Sequence, residues 1–354
     1  MTILYVDDVI DGHHMPYLNG IINKKSHKCI LLNSQRVDGV LIKQYSTSNW
    51  PTKSFLRYLK FIYEIKKIAE KEKVDIIHFL TMDSFARFFG IGLSFLSDYI
   101  LLGTYHKFPS SKMKRLSMKI ISNHLRCVIV HSEYLSNRIK KIGIVNCKSI
   151  EYPCFEKIDV GVNEAREFFN ITNSFPVIGC IGETRYDKGL DILLDALDKI
   201  GGHYNLLISG KASYYTVDYI LEKTKMHKNV YLNLHYLSDD EYGKSIIASD
   251  IIVLPYRKVF NGASGPLSDG VFYNKTIIGP NHGNIGFLIK KYELGFTFKT
   301  EDHDSLASII DFALSDGLDH NLVYRKYQRM LDPKYFHNSY QRLYLRLVKT
   351  NDKV

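Results

Sequence analysis

Residues 177–189 read VIGCIGETRYDKG, an apolar run followed by a polar loop that begins and ends with glycine. The apolar run at residues 177–181 is typical of a buried parallel strand, and the residues after Gly189 follow a helical period. Arg185 and Lys188 therefore stand at a strand-to-helix junction, where unpaired backbone N–H groups and the helix dipole favour an oxyanion. Two cations three residues apart add charge-assisted hydrogen bonds, so the segment predicts a phosphate-binding loop rather than two ordinary surface cations.

A second segment, NGASGPLSD at residues 261–269, follows a predicted strand at residues 251–254 and is rich in small side chains. Small side chains leave the backbone amides of this segment open to a ligand, as in other anion-binding loops. A plain surface turn is the alternative, because Asn-Gly is a strong turn signal by itself. We predict that both segments contribute to one diphosphate site. The second segment supplies Asn261, Gly262, Ala263, Ser264, Gly265 and Asp269.

The chain has 354 residues, too many for one ordinary core and enough for two domains. Its 45% hydrophobic and 24% charged residues are typical of a folded globular protein, and no apolar run is long enough to span a bilayer. The first residues, MTILYVDD, indicate a strand rather than a signal peptide, so we expect a cytoplasmic protein, peripheral at most at the inner face of the cell membrane. Five scattered cysteines indicate buried thiols rather than a disulfide framework or a zinc site.

The net charge of +10 is unevenly distributed, because residues 1–160 carry all of the basic excess. Its densest part alternates with apolar residues over residues 112–126, in the pattern of a basic amphipathic helix. That composition suits an anionic membrane surface, and a solvated helix face is the alternative. Nucleic acid is not an expected partner, since no recognisable RNA- or DNA-binding motif accompanies the charge. The basic residues of this patch are Lys112, Lys114, Arg115, Lys119 and Arg126.

Short apolar runs alternate with longer amphipathic stretches along both halves of the chain, which predicts repeated β-α-β units. Right-handed crossovers then give an α/β protein with two Rossmann-like, doubly wound parallel sheets whose domains face each other across a cleft. We place the N-terminal domain at residues 1–155 and the C-terminal domain at residues 175–335. The last helix, within residues 336–354, has an apolar face that must pack against another part of the protein.

These motifs resemble the retaining glycosyltransferases of family 4, which have the GT-B fold, most closely over about residues 175–300. The Gly-x-x-Arg-x-x-Lys-Gly segment of that family is matched by Gly182, Arg185, Lys188 and Gly189. The resemblance implies that Arg185 and Lys188 bind the diphosphate of a nucleotide-sugar donor and act in catalysis. It also implies that the C-terminal domain binds the donor and the N-terminal domain the acceptor.

The second signature of the family is Glu, seven residues, Glu, followed by a helix and a Gly-Lys-Pro-Val-Ile-like strand. Residues 274–278, NKTII, match that strand, and counting back places Asp269 and Asn261 at the two glutamates. The resemblance implies that Asp269 accepts hydrogen bonds from the ribose hydroxyls, which the shorter carboxylate can still do. Asn261 would contact the transferred sugar, where an amide either changes which sugar is held or weakens catalysis.

The first half of the chain resembles the family at two positions, and the last helix adds a third point of resemblance. Gly12 and His13 lie after the first predicted strand, where the family has a glycine-rich loop that faces the donor and acceptor. His106 ends a predicted strand and matches the histidine beside the donor sugar. The last helix matches the GT-B helix that returns to the N-terminal domain.

Together these features imply a retaining glycosyltransferase that moves a hexose from a UDP- or GDP-sugar to a hydroxyl of a glycan or lipid-linked acceptor. A role in bacterial surface polysaccharide or glycan assembly is the expected setting, and neither a cofactor nor an essential metal is expected. The replacement of Glu by Asn261 leaves a non-catalytic nucleotide-sugar-binding or scaffold subunit as an alternative. A GT-B isomerase or phosphorylase is a further alternative, whereas a nicotinamide site is disfavoured because the glycine spacing after the strand at residues 177–181 does not fit.

Overall fold

The computed structural model describes residues 1–7, 14–50, 54–155, 157–260, 262–315 and 321–351. The chain divides into two compact units, one formed by Met1–Tyr152 with Pro333–Val354 and the other by Pro153–Asp332. Residues 157–174, which lie between the predicted domains, are part of the second unit, as are residues 153–155, which we expected in the first. Among the described residues, no helix combines the length and the apolar character that crossing a membrane requires.

The first unit is built on a parallel sheet with the strand order β3-β2-β1-β4-β5-β6-β7. Its strands are β1 Thr2–Val6, β2 Lys28–Asn33, β3 Lys43–Ser46, β4 Ile76–Phe79, β5 Ile100–Tyr105, β6 Cys127–Val130 and β7 Cys147–Ser149. Its helices are α1 His14–Ile21, α2 Phe55–Glu72, α3 Lys112–Ser122, α4 Glu133–Lys141 and the last helix of the chain, α13 Pro333–Asn351. The central strands are almost wholly buried, as expected when helices cover both faces of a parallel sheet.

The second unit repeats this architecture with the strand order β10-β9-β8-β11-β12-β13, again all parallel. Its strands are β8 Val177–Ile181, β9 Asn205–Ser209, β10 Val230–Asn233, β11 Ile251–Val253, β12 Thr276–Pro280 and β13 Gly295–Phe298. Its helices are α5 Val162–Phe168, α6 Leu190–Ala196, α7 Val217–Thr224, α8 Asp239–Ala248, α9 Gly265–Phe272, α10 Gly283–Tyr292, α11 His303–Ser315 and α12 Leu322–Met330. The predicted fold class, two doubly wound parallel sheets, is confirmed.

The helix α13 packs on the first unit through a layer of buried aromatic rings. Tyr344 hydrogen-bonds His78 Nδ1 of β4 at 2.9 Å, and Tyr340 hydrogen-bonds Tyr17 of α1 at 2.8 Å. The other ring nitrogen of His78 bonds the hydroxyl of Thr104 at 2.9 Å, and burial lowers the pKa of this histidine to about 3. Because His78, Tyr17, Tyr340 and Tyr344 each have a hydrogen-bond partner in this layer, α13 is an integral part of the first unit.

Both sheets bring the loops that follow their strands to one edge, because the carboxyl ends of parallel strands lie together. In the second unit β8 pairs with β9 on one side and with β11 on the other. The loops after β8, β9 and β11 are thus neighbours, and they contain the residues of the candidate site.

Candidate functional site

The loop after β8 begins at Gly182 and is closed by a short 3₁₀ turn, Tyr186–Lys188, before Gly189. Both glycines have positive φ, 110° and 61°. A Cβ on Gly182 would lie 2.5 Å from Lys188 Nζ, and one on Gly189 would lie 2.3 Å from the backbone oxygen of Pro255. Glycine is therefore required at both ends, since a side chain would displace Lys188 or push the loop away from β11.

Lys188 is half-buried, and its ammonium group faces the ring of Tyr256, with Nζ 5.9 Å from the ring centroid. In the described part of the chain, no carboxylate forms an ion pair with this ammonium. Burial lowers the pKa of Lys188, and the nearby charge of Arg185 lowers it further. An ammonium group that is desolvated in this way is poised to gain from an anionic partner.

Arg185 is exposed and forms a two-bonded ion pair with Asp187, in which Nε and Nη2 each donate to the carboxylate at 3.0 Å. The pair raises the pKa of Arg185 and lowers the pKa of Asp187, and the hydrogen bonds between the two side chains are the main cause of both shifts. These bonds use one edge of the guanidinium fork, whose five N–H groups allow further bonds along its other edge. Arg185 is thus held in position next to Lys188 while it keeps donors for a ligand.

Arg257, which the sequence motifs did not single out, holds the same loop from the end of β11. Its backbone N–H donates to the carbonyl oxygen of Asp187 at 3.0 Å, and its Nε donates to that of Tyr186 at 3.2 Å. Its Nη2 donates to the carboxylate of Asp191, and its guanidinium carbon lies 4.5 Å from the centroid of the Tyr186 ring. Only 15% of the Arg257 side chain is exposed, so this cation supports the loop from its buried side.

The second predicted segment, described from residue 262, runs into the first turns of α9 and presents backbone amides at the same edge of the sheet. The side chain of Ser264 caps the helix by accepting the N–H of Leu267 at 3.3 Å. Of the hydrogen bonds formed among the described residues, none uses the backbone N–H of Gly262, Ala263 or Gly265. These amides can donate to an anion.

Tyr256 connects the two predicted segments, because its ring faces Lys188 and its hydroxyl lies 3.3 Å from the Ser264 hydroxyl. Asp269, one turn into α9, is half-buried and accepts a hydrogen bond from Tyr242 of α8 at 2.7 Å. The same Tyr242 hydroxyl lies close to Gly265, 3.2 Å from the position that a Cβ would occupy there. The hydrogen bond therefore holds the Asp269 carboxylate beside the start of α9. The structure therefore brings Arg185, Lys188, Gly262–Gly265 and Asp269 to one edge of the second sheet.

His106 lies in the first unit, directly after β5. Its Nε2 donates to the backbone oxygen of Leu80 at 2.8 Å, and its backbone N–H donates to the carboxylate of Asp83 at 2.8 Å. Both partners lie in the segment that follows β4, so His106 is at the carboxyl edge of the first sheet. Gly12, His13 and Asn261, also predicted site residues, lie outside the described residues.

Two family models match the chain, one in each unit. The model described as Glycosyl transferase 4-like matches residues 2–132, and the model described as Glycosyl transferases group 1 matches residues 162–329. The fold is that of the GT-B glycosyltransferases. The chain belongs to the glycosyl transferases that these two models describe.

Solved structures of similar fold span nearly the whole chain. A glycosyltransferase from Rickettsia africae ESF-5 is 18% identical, with a TM-score of 0.76 over 99% of this chain and 98% of that one. HepE from Anabaena, in complex with UDP, is 16% identical, with a TM-score of 0.74 over 100% of both chains. The sucrose-phosphate synthase of Thermosynechococcus elongatus is 14% identical, with a TM-score of 0.72 over 99% of this chain and 100% of that one. These likenesses show the fold, and no curated protein sequence matches the chain.

Proposed function

We propose that this glycosyltransferase moves a hexose from a UDP- or GDP-sugar to a hydroxyl of a glycan or lipid-linked acceptor, with retention of the anomeric configuration. The observation that carries the proposal is the half-buried ammonium of Lys188, which stands beside Arg185 and near the unbonded amides of Gly262, Ala263 and Gly265 without a carboxylate partner among the described residues. A diphosphate supplies the negative charge that this arrangement lacks.

In the reaction, the bond between the anomeric carbon and the donor diphosphate breaks and negative charge develops on the departing oxygen. Lys188 and Arg185 meet that charge, and the loop amides share it. Because the loop is already held by Asp187 and Arg257, these groups do not need to reorganise as the charge appears. Interactions of this kind, strongest in the transition state, raise the rate of the chemical step.

The remaining roles follow from the family resemblance and from the hydrogen bonds of the site. Asp269, oriented by Tyr242, accepts bonds from the ribose hydroxyls of the donor. On the resemblance alone, we assign His106 and Asn261 to the transferred sugar, and Gly12 and His13 to the donor phosphates and the acceptor. We expect the exchange of Glu for Asn261 to select the sugar or to slow the transfer. The two cations take over the charge neutralisation that a metal ion would supply, so we expect chelation by EDTA to leave the rate unchanged.

UDP-sugars are the first donors to test, since HepE from Anabaena, a protein of similar fold, has been solved with UDP and with UDP-glucose. The acceptor side is assigned to the first unit, whose basic excess suits lipid phosphates or an anionic glycan. This charge also supports peripheral association with the inner face of an anionic membrane through the patch at Lys112, Lys114, Arg115, Lys119 and Arg126. A role in bacterial surface polysaccharide or glycan assembly is consistent with such a location.

A donor screen read by mass spectrometry tests the proposal, with Lys188→Ala against Lys290→Ala as the matched control. Lys290 is exposed in the last turn of α10, a helix that runs back from the carboxyl edge of the sheet, so it lies away from the site. We expect Lys188→Ala to lower turnover roughly 100- to 1,000-fold and Lys290→Ala to leave it unchanged. Equal rates for both variants would refute the assignment. If the wild type binds the donor without turnover and the Asn261→Glu variant turns it over, the natural protein is a scaffold.

A further inference from the structure

The outer surface of one helix layer in the first unit is unusually apolar. The helices α2 and α3 and the 3₁₀ turn Leu93–Leu96 bury their inner faces in one core on the same side of the sheet. Most of the exposed large apolar side chains of the described first unit belong to these three elements or to residues 90–92, which lead into the turn. They are Phe55, Leu56, Tyr63, Ile91, Phe95, Met113, Leu116 and Ile120.

Close packing makes these side chains one surface rather than three. A Cβ on Gly90 would lie 2.9 Å from the side chain of Ile121 in α3, and one on Gly92 would lie 3.6 Å from the side chains of Leu59 and Ile62 in α2. Residues 90–96 therefore fill the space between the two helices. A contiguous exposed apolar surface built from several elements marks an interaction site in a soluble domain.

The three apolar residues of α3 form a stripe on its exposed side. Met113, Leu116 and Ile120 follow the i, i+3, i+7 spacing of one helix face and are 64%, 51% and 36% exposed. Lys112 and Lys119 are exposed along the edge of that stripe, about two helical turns apart. An apolar stripe bordered by lysines is the pattern of a helix that lies in the plane of a lipid interface.

The lysines of this surface have no competing acidic partners within the described residues. Lys60 and Lys67 of α2 and Lys112, Lys114 and Lys119 of α3 are exposed and form no ion pair there. Arg115 is different from the rest of the predicted basic patch, because its guanidinium donates to the backbone oxygens of Pro109 and Ser110 and lies against Phe108. Within the described residues, these lysines are therefore free to meet an anionic partner.

We infer that this surface, formed by α2, residues 90–96 and α3, docks the protein on an anionic lipid bilayer, with Phe95, Met113 and Leu116 inserted among the acyl chains. Anionic headgroups complement the unpaired lysines, and the lysine stems can lie along the apolar boundary while their ammonium groups stay at headgroup level. A second copy of the chain is a poor occupant because it would bring the same positive charges face to face. The inference rests on the proposed function, and it names the lipid surface from which a lipid-linked acceptor would be taken.

Sedimentation of the full chain with vesicles tests the inference, using phosphatidylcholine alone and phosphatidylcholine mixed with phosphatidylglycerol. The apolar variant is Met113→Gln with Leu116→Gln, and its matched control is Leu221→Gln with Met226→Gln, both exposed on the second unit. The charge variant is Lys112→Gln with Lys119→Gln, and its matched control is Lys228→Gln with Lys290→Gln. Transfer to a soluble acceptor is measured for every variant, so that a failure of the proposed catalytic function is separate from a failure of docking.

We expect the wild type to sediment with the mixed vesicles and to remain in solution with phosphatidylcholine alone. Each lysine removed from the surface should weaken the partition of the protein onto the mixed vesicles by about fivefold. The apolar variant should weaken this partition by at least about tenfold, and neither control should change it. Transfer to the soluble acceptor should stay the same in the surface variants. A wild type that stays in solution with the mixed vesicles, or an apolar variant that binds as well as the wild type, would overturn the inference. Loss of self-association instead of vesicle binding in the apolar variant would also overturn it.

Discussion

Asp187 holds the guanidinium of Arg185 through two hydrogen bonds of equal length, 3.0 Å each. Because the Arg185 side chain is 47% exposed, such a pair adds little stability, about 1 kcal/mol at most. Its value lies in fixing the orientation of the cation before the ligand arrives. We predict that Asp187→Asn leaves the melting temperature almost unchanged and weakens UDP binding severalfold, measured by titration calorimetry.

The control for this prediction is Glu222→Gln, which removes the carboxylate of a similarly exposed pair with Lys225 on α7. That substitution should change neither stability nor UDP affinity. A gain in affinity in Asp187→Asn would mean that Asp187 shields Arg185 from the ligand instead of orienting it.

The pKa of Lys188 gives a prediction about charge at the site. Burial and the neighbouring Arg185 hold this pKa below the ordinary lysine value of 10.5 in the free protein. A bound diphosphate stabilises the charged form, so UDP should raise the pKa of Lys188 and be bound with uptake of protons at alkaline pH. NMR of lysine ε-carbons, assigned with Lys188→Arg, measures both values, and an unchanged pKa on saturation with UDP would place the diphosphate elsewhere.

Arg257 should behave as a positioning residue of the donor loop. Loss of its bonds to Tyr186 and Asp191 lets the loop shift, and small displacements of binding groups are costly, so Arg257→Ala should lower kcat/KM for the donor by roughly 10- to 100-fold. Arg257→Lys should not restore it, because an ammonium group cannot reproduce the planar fork.

Arg166→Ala is the matched control for Arg257→Ala. Arg166 pairs with Asp250 and also bonds a backbone oxygen, with 18% of its side chain exposed, but Asp250 precedes β11 and so lies at the opposite edge of the sheet. We expect this control to lower the melting temperature while kcat/KM stays unchanged. If Arg257→Ala behaves in the same way, Arg257 is only a structural residue.

Glu72 at the end of α2 makes the acid stability of the first unit testable. Hydrogen bonds from Lys43, Tyr45 and Lys28 lower its pKa from 4.5 to about 2. A depressed carboxyl pKa contributes stability above the unfolded value, and that contribution is lost as the pH falls from 4.5 towards 2. Glu72→Gln should therefore flatten the dependence of unfolding free energy on pH over this interval, measured by urea unfolding. Glu70→Gln, an exposed neighbour on α2, should keep the wild-type slope.

The fold could be predicted from the sequence where a strand is buried on both sides. The runs that form β1, β4 and β8 are apolar except for Thr2 and His78, and Ser238 with Glu241 forms a capping box at the start of α8. The edge strand β3, with the sequence KQYS, has no apolar run that would indicate a strand, since it carries a single hydrophobic residue, Tyr45. It pairs with β2 alone and is partly exposed, so it needs no apolar pattern.

The candidate site could be predicted where the chemistry is local. Arg185 and Lys188 are recognisable because they share one loop with two glycines, and that motif is visible along the chain. Arg257 is 66 residues away from Asp191 and acts only because β11 pairs with β8 in the sheet. The signal that could have found it is the strand order, which places the residues after β11 beside the loop after β8.

A crystal structure with UDP or GDP bound tests the central claim most directly. We predict that the diphosphate oxygens lie within hydrogen-bond distance of Lys188 Nζ, with Arg185 and the backbone amides of residues 262–265 around them. A diphosphate bound elsewhere on the protein, with Lys188 still without an anion and Arg185 bonded to Asp187 alone, would contradict the account.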